Sequence, residues 1–155
     1  MRPILERLAQ GEVADFEGLP AGVRVADMIA DFSPESDGWG QATLGREHRT
    51  ARFIGRESFT GRRLRVWFDP EYRVLLVDFD YPGLTIPPAE LVEGLGDPEA
   101  ELVGEDDLLS RLRERVFARR GLSLISDPED RFVVRIVAFT PTTADDYVRR
   151  IRVNP

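Results

Sequence analysis

The chain has no cysteine and no lysine, and only one histidine and one asparagine among its 155 residues. Without cysteine there can be no disulfide, no thiolate nucleophile and no cysteine metal site. Without lysine, Schiff-base chemistry and a phosphate-binding Walker lysine are both impossible. A single histidine leaves the usual acid–base repertoire nearly empty. Long apolar runs are also missing, and none approaches the ~20 residues a membrane span needs. The opening Met1-Arg-Pro-Ile-Leu-Glu-Arg-Leu has neither an extended apolar region nor a small-residue cleavage site. These absences predict a soluble cytoplasmic protein that is not an enzyme and holds no cofactor and no metal.

All 21 basic residues are arginine, a composition like that of a GC-rich bacterial genome. They are outnumbered by 28 acidic residues, giving a formal charge of −7. That sign opposes general binding to a phosphate backbone and favours encounter with a basic partner protein, such as a toxin.

A chain of this length fits one domain with a core of its own. Within it, Leu64-Arg-Val-Trp-Phe-Asp-Pro-Glu-Tyr-Arg-Val-Leu-Leu-Val-Asp-Phe is answered by Leu122-Ser-Leu-Ile-Ser-Asp-Pro-Glu-Asp-Arg-Phe-Val-Val-Arg-Ile-Val. Each is an apolar run, an Asp-Pro-Glu turn and a second apolar run, the pattern of a β-hairpin. Helical spacing precedes each hairpin, at Ala26, Met28, Ile29 and Phe32, and again over Ala89 to Leu95. Thr50-Ala-Arg-Phe-Ile and Arg115-Val-Phe-Ala supply a third strand to each copy. The expectation is an α+β fold: an antiparallel sheet built from two tandem helix-plus-three-strand repeats, about 23–83 and 86–141, with the helices packed on one face. A helix over 3–10 and a closing helix over 143–152 complete the chain. The stretch from Asp107 reads as a short helix to about Arg111 and a strand from Arg113, although its spacing also suits a continuous helix.

The two hairpins align when the second turn holds one extra residue. Strand alternation then buries Leu64, Val66 and Phe68 with Leu122 and Leu124. The opposite, solvated face would carry Arg63, Arg65, Trp67, Asp78 and Asp80, followed by Ser123, Arg135, Val137 and Phe139.

Two tandem units of helix and three antiparallel strands, each helix preceding its Asp-Pro-Glu hairpin, resemble the β-lactamase inhibitor protein family. The second unit is similar to small outer-membrane assembly lipoproteins, where a segment like Glu90-Leu-Val-Glu-Gly-Leu-Gly-Asp-Pro leads into strands like Arg115-Val-Phe and Gly121-Leu-Ser-Leu. The resemblance covers about residues 23–141 and rests on turns and apolar alternation. This chain departs from it in having no disulfide, no signal peptide and no lipidated cysteine. What the resemblance implies is a protein that binds other proteins through its exposed sheet and loops.

Other candidates have simpler explanations. His48, in Arg46-Glu-His-Arg-Thr, has no nucleophile or carboxylate placed beside it by a motif. Glu105-Asp-Asp lacks the alternating oxygen ligands and central glycine of a calcium loop. Arg46, Arg49, Arg52, Arg56, Arg62, Arg63 and Arg65, with Phe53, Phe59 and Trp67 interleaved, have the composition of a single-strand binder, diluted by Glu47 and Glu57. Trp39, within Gly38-Trp-Gly, reads as a loop residue lying over the core.

The expected function is a non-catalytic protein-binding module that inhibits or neutralises its partner, as an immunity protein does for its toxin. Trp67 and Phe139 would anchor the partner, Arg63, Arg65, Asp78, Asp80 and Arg135 would orient it, and Tyr72 would join from a hairpin tip. The alternatives are a small-molecule or envelope-related binding module on the same sheet, and nucleic-acid binding through Arg46–Arg65.

Overall fold

Alternating side chains on both sides of two Asp-Pro-Glu turns make strands, and these strands form the centre of one sheet. The computed structural model describes residues 38–57, 63–71, 74–80, 88–103 and 112–153. In chain order the elements are β1 (Gly38–Leu44), β2 (Arg49–Glu57), β3 (Arg63–Phe68), β4 (Val74–Asp80), α1 (Pro88–Leu95), β5 (Ala100–Val103) and β6 (Arg113–Phe117). A 3-10 turn (Ala118–Arg120) leads to β7 (Leu122–Ser126) and β8 (Val133–Phe139). The chain then forms α2 (Ala144–Asp146), which continues as a π-helical turn over Tyr147–Ile151. Every strand pairing is antiparallel, in the order β1-β2-β3-β4-β8-β7-β6-β5.

The expected α+β design of two helix-plus-three-strand units with helices on one face is therefore not what forms. The described chain is mostly an eight-stranded sheet, with α1 of eight residues and the three-residue α2 as its α-helices. Two strands account for much of the difference. β1 is built from Gly-Trp-Gly-Gln-Ala-Thr-Leu, which has weak strand propensity, and pairing with β2 overrides it. A Cβ on Gly40 would run into the Phe53 ring, so the aromatic covers the bare glycine from the next strand. β5, Ala-Glu-Leu-Val, is too short to show a period of its own and is held by β6. The helices expected at 3–10 and around Val25 to Phe32 lie outside the described residues, as does the short helix expected before Arg111.

The hairpins themselves pair as their alternation requires. Leu64 lies opposite Phe79 and Leu122 opposite Ala138, so the second hairpin contains one residue more than the first. α1 begins at a proline, whose missing N–H costs nothing in a first turn. It ends where Gly96, at φ 82°, donates its amide to the Val92 carbonyl.

Both faces of the sheet are buried. One face holds Val66, Phe68, Val77, Leu122, Leu124, Ile136 and Ala138. The other was expected to meet solvent, yet it carries a core of Leu44, Ala51, Trp67, Leu76, Val116, Val137 and Phe139 closed by Tyr147. The cover is the C-terminal strap, Ala144–Val153, whose Ala144, Val148, Ile151 and Val153 pack on that cluster. Amides of the β1–β2 turn then satisfy the strap's carbonyls: Gly45 donates to Arg152 at 2.7 Å, Arg46 to Val148 at 3.1 Å and Glu47 to Arg149 at 3.0 Å. An antiparallel bridge between Leu44 and Val153 completes the join.

Candidate functional site

Three of the residues expected to meet a partner do come together, but inside the protein. Sheet register places Arg65 opposite Asp78, two residue pairs from Trp67 and on the same face. The Asp78 carboxylate is fully buried and accepts from Arg65 Nε at 3.2 and 3.1 Å, from Arg65 Nη2 at 3.1 Å and from Trp67 Nε1 at 2.5 Å. The guanidinium also lies over the Phe53 and Trp67 rings, 5.4 and 5.1 Å from their centroids. A buried carboxylate needs such pairing, because desolvation without it costs several kcal/mol, roughly. Trp67, Asp78 and Phe139 are thus framework, correcting their expected exposure. The physical reason is the strap: Phe139 stacks on Tyr147 with centroids 4.6 Å apart.

The remaining expected contacts are dispersed. Arg135 is half-buried in β8, between Asp80 of β4 and Ile125 of β7 in register. The Arg63 and Asp80 side chains, and all of Tyr72, lie outside what is described. The arginine series does not gather into one stripe: Arg46 is exposed in the β1–β2 turn, Arg49 and Arg52 fall on opposite faces of β2, and Arg65 is committed to Asp78. His48 is exposed in that same turn at φ 50°.

Reading the sequence missed a second buried carboxylate. Glu114 of β6 is 5% exposed and accepts from Ser123 Oγ at 2.8 Å, Tyr147 Oη at 2.5 Å and Arg152 Nε at 2.7 Å. Burial, followed by the nearby Glu114 charge, holds the Tyr147 hydroxyl well above its ordinary range. The available signal was Tyr147 itself, since a tyrosine within an apolar stripe needs a partner for its hydroxyl.

A described aromatic side chain open to a partner sits elsewhere, on the β7–β8 hairpin. Asp127 Oδ1 accepts from the Arg131 amide at 2.5 Å and the Phe132 amide at 3.1 Å, and Oδ2 accepts from Arg131 Nε at 3.2 Å. Desolvation pulls the Asp127 carboxyl up, but these donors together hold it below its usual value. The Asp127 amide donates to Phe132 and the Asp130 amide to Asp127, at 3.1 and 2.8 Å. Asp130, at φ 59°, accepts from Arg115 Nη1 at 2.7 Å and from Ser126 Oγ at 2.5 Å. The Arg115 hydrogen bond lowers the Asp130 carboxyl and raises the guanidinium. The turn is thus tied by its own hydrogen bonds, and from it Phe132 projects, 44% exposed, with the Arg131 guanidinium 5.9 Å from its ring centroid.

Among the described residues no group of three or more metal-ligating side chains gathers. No helix there is long and apolar enough to cross a membrane. Comparison with protein-family models, with curated proteins and with solved structures finds no match for the chain.

Proposed function

We propose that this chain is a non-catalytic protein-binding module that neutralises its partner by occlusion, as an immunity protein does for its toxin, and that it makes contact through the end of the sheet bearing the β7–β8 hairpin tip. One observation carries the reading. The two large apolar side chains exposed among the described residues, Val103 at 58% and Phe132 at 44%, belong to the same end of the sheet. Register runs Val103, Arg113, Ser126 and Val133 across β5, β6, β7 and β8, and Phe132 precedes Val133.

Exposed apolar groups beside arginine suit an interface core, and exposed Arg113, Arg131 and Glu129 would form its charged rim. The Asp127 and Asp130 hydrogen bonds fix the loop before binding, which lowers the ordering cost on association. The net charge of −7 favours approach to a basic partner.

The test uses Phe132→Ser and Val103→Ser, separately and combined, as baits beside the wild type in capture from the source cell. Any captured protein is then titrated in purified form by calorimetry. A partner that binds the wild type and loses at least tenfold in affinity for the double variant, at unchanged melting temperature, supports the reading. Equal affinity for both baits would overturn this placement of the contact.

A further inference from the structure

Among the described residues the sheet has two edge strands, β1 and β5, and they are protected unequally. β5 is four residues long and carries the exposed Glu101, two ordinary defences against edge-to-edge pairing. β1 is seven residues long, Gly-Trp-Gly-Gln-Ala-Thr-Leu, with no charge, no proline and no bulge in its register with β2. Its outer edge is already engaged at one end, where Leu44 bridges Val153 in antiparallel fashion.

That bridge shows which backbone groups face outward. Gly45 donates to Arg152 across the Leu44–Val153 pair, so odd-numbered residues of β1 turn their N–H and C=O groups away from β2. Trp39 and Gln41 therefore present their backbone groups along the outer edge.

We infer that β1 pairs antiparallel with β1 of a second copy of this chain, joining two eight-stranded sheets edge to edge about a two-fold axis at Gly40. In this register Trp39 lies opposite the second copy's Gln41 and exchanges two hydrogen bonds with it, and the symmetry repeats the exchange. Gly40 faces its own counterpart as a non-hydrogen-bonded pair, where the two backbones come closest. Absence of a side chain at Gly40 leaves that approach open, and the Phe53 ring that lies over it in each copy would meet its equivalent on the same face. A two-fold axis brings like residues together, so a charged strand would repel itself, and this segment is neutral. Pairing over Gly38–Ala42 stops short of Leu44 and leaves the Val153 bridge intact. Five residues from each copy form a small interface, so the dimer is weak, with a dissociation constant on the order of micromolar or above.

Sedimentation equilibrium of the full chain from micromolar to millimolar concentration tests the association. Gln41→Pro is the informative variant, because the lost N–H points outward and no bond to β2 is removed. The expected result is a monomer–dimer equilibrium weakened at least tenfold by Gln41→Pro, with an unchanged melting temperature. Hydrogen exchange on the unmodified protein gives a second readout that does not depend on the variant folding. The Trp39 and Gln41 amides should gain protection as concentration rises, while the Glu101 and Val103 amides should not. A monomer throughout the range, or a dimer that leaves the Trp39 and Gln41 amides unprotected, overturns the inference.

Discussion

Tyr147 donates its hydroxyl hydrogen to Glu114 across 33 residues of sequence, at 2.5 Å. This bond pins the strap to the sheet from inside the core, while Arg152 reaches the other oxygen of the same carboxylate from the rim. Tyr147→Phe should destabilise by about 1–2 kcal/mol, since Glu114 keeps two of its three donors. Glu114→Ala should cost about 3–5 kcal/mol, because it strands Tyr147, Ser123 and Arg152 together. Urea unfolding followed by tryptophan fluorescence measures both, and equal losses would contradict this ordering.

The same tyrosine sets an alkaline limit. Its ionisation is raised well above 10.0 in the folded protein, so folded and unfolded states bind the same proton below about pH 10 and the stabilisation is intact there. Above that pH the unfolded chain ionises first, and stability falls as pH rises towards the folded value. Alkaline denaturation should begin later for Tyr147→Phe, measured relative to its own neutral-pH stability.

Trp67 and Asp78 should behave as framework. Trp67→Ala removes a fully buried ring and should cost about 3–5 kcal/mol. Asp78→Asn should cost at least about 2 kcal/mol by leaving the Arg65 charge without its counterion. Chemical denaturation midpoints check both, and a Trp67→Ala protein of wild-type stability would reopen the case for that side chain as an exposed anchor.

Gly45 is where the β1–β2 turn meets the strap. Its φ is 67°, and a Cβ there would press on the backbone carbonyl of Arg149. Gly45→Ala should cost about 1–2 kcal/mol from the left-handed conformation alone, with the steric push added. Hydrogen exchange should quicken first at the Arg46 and Glu47 amides, whose bonds join turn and strap.

How much of this was legible in the sequence follows from the range of the forces involved. The hairpins were legible, because alternation and an Asp-Pro-Glu turn are local: Asp69 Oδ1 accepts the Glu71 amide at 2.9 Å, and Asp127 closes its own turn. α1 was legible from its spacing and its glycine stop. β1 and β5 were not, since each depends on a neighbour, Phe53 over Gly40 in one case and pairing with β6 in the other. Of the expected site, the grouping of Arg65, Trp67 and Asp78 on one face was legible. Their burial was not.

Composition excluded thiolate and lysine chemistry, and local patterning set where the two central hairpins turn and which side chains share each face of them, because backbone conformation and strand periodicity are decided within a few residues. Only the tertiary structure decided that eight strands join in one sheet and that both faces are covered. A strand's alternation distinguishes its two faces but carries no information about what packs on either, and the cover here is a strap whose docking depends on Glu114 meeting Tyr147 from a distant part of the chain.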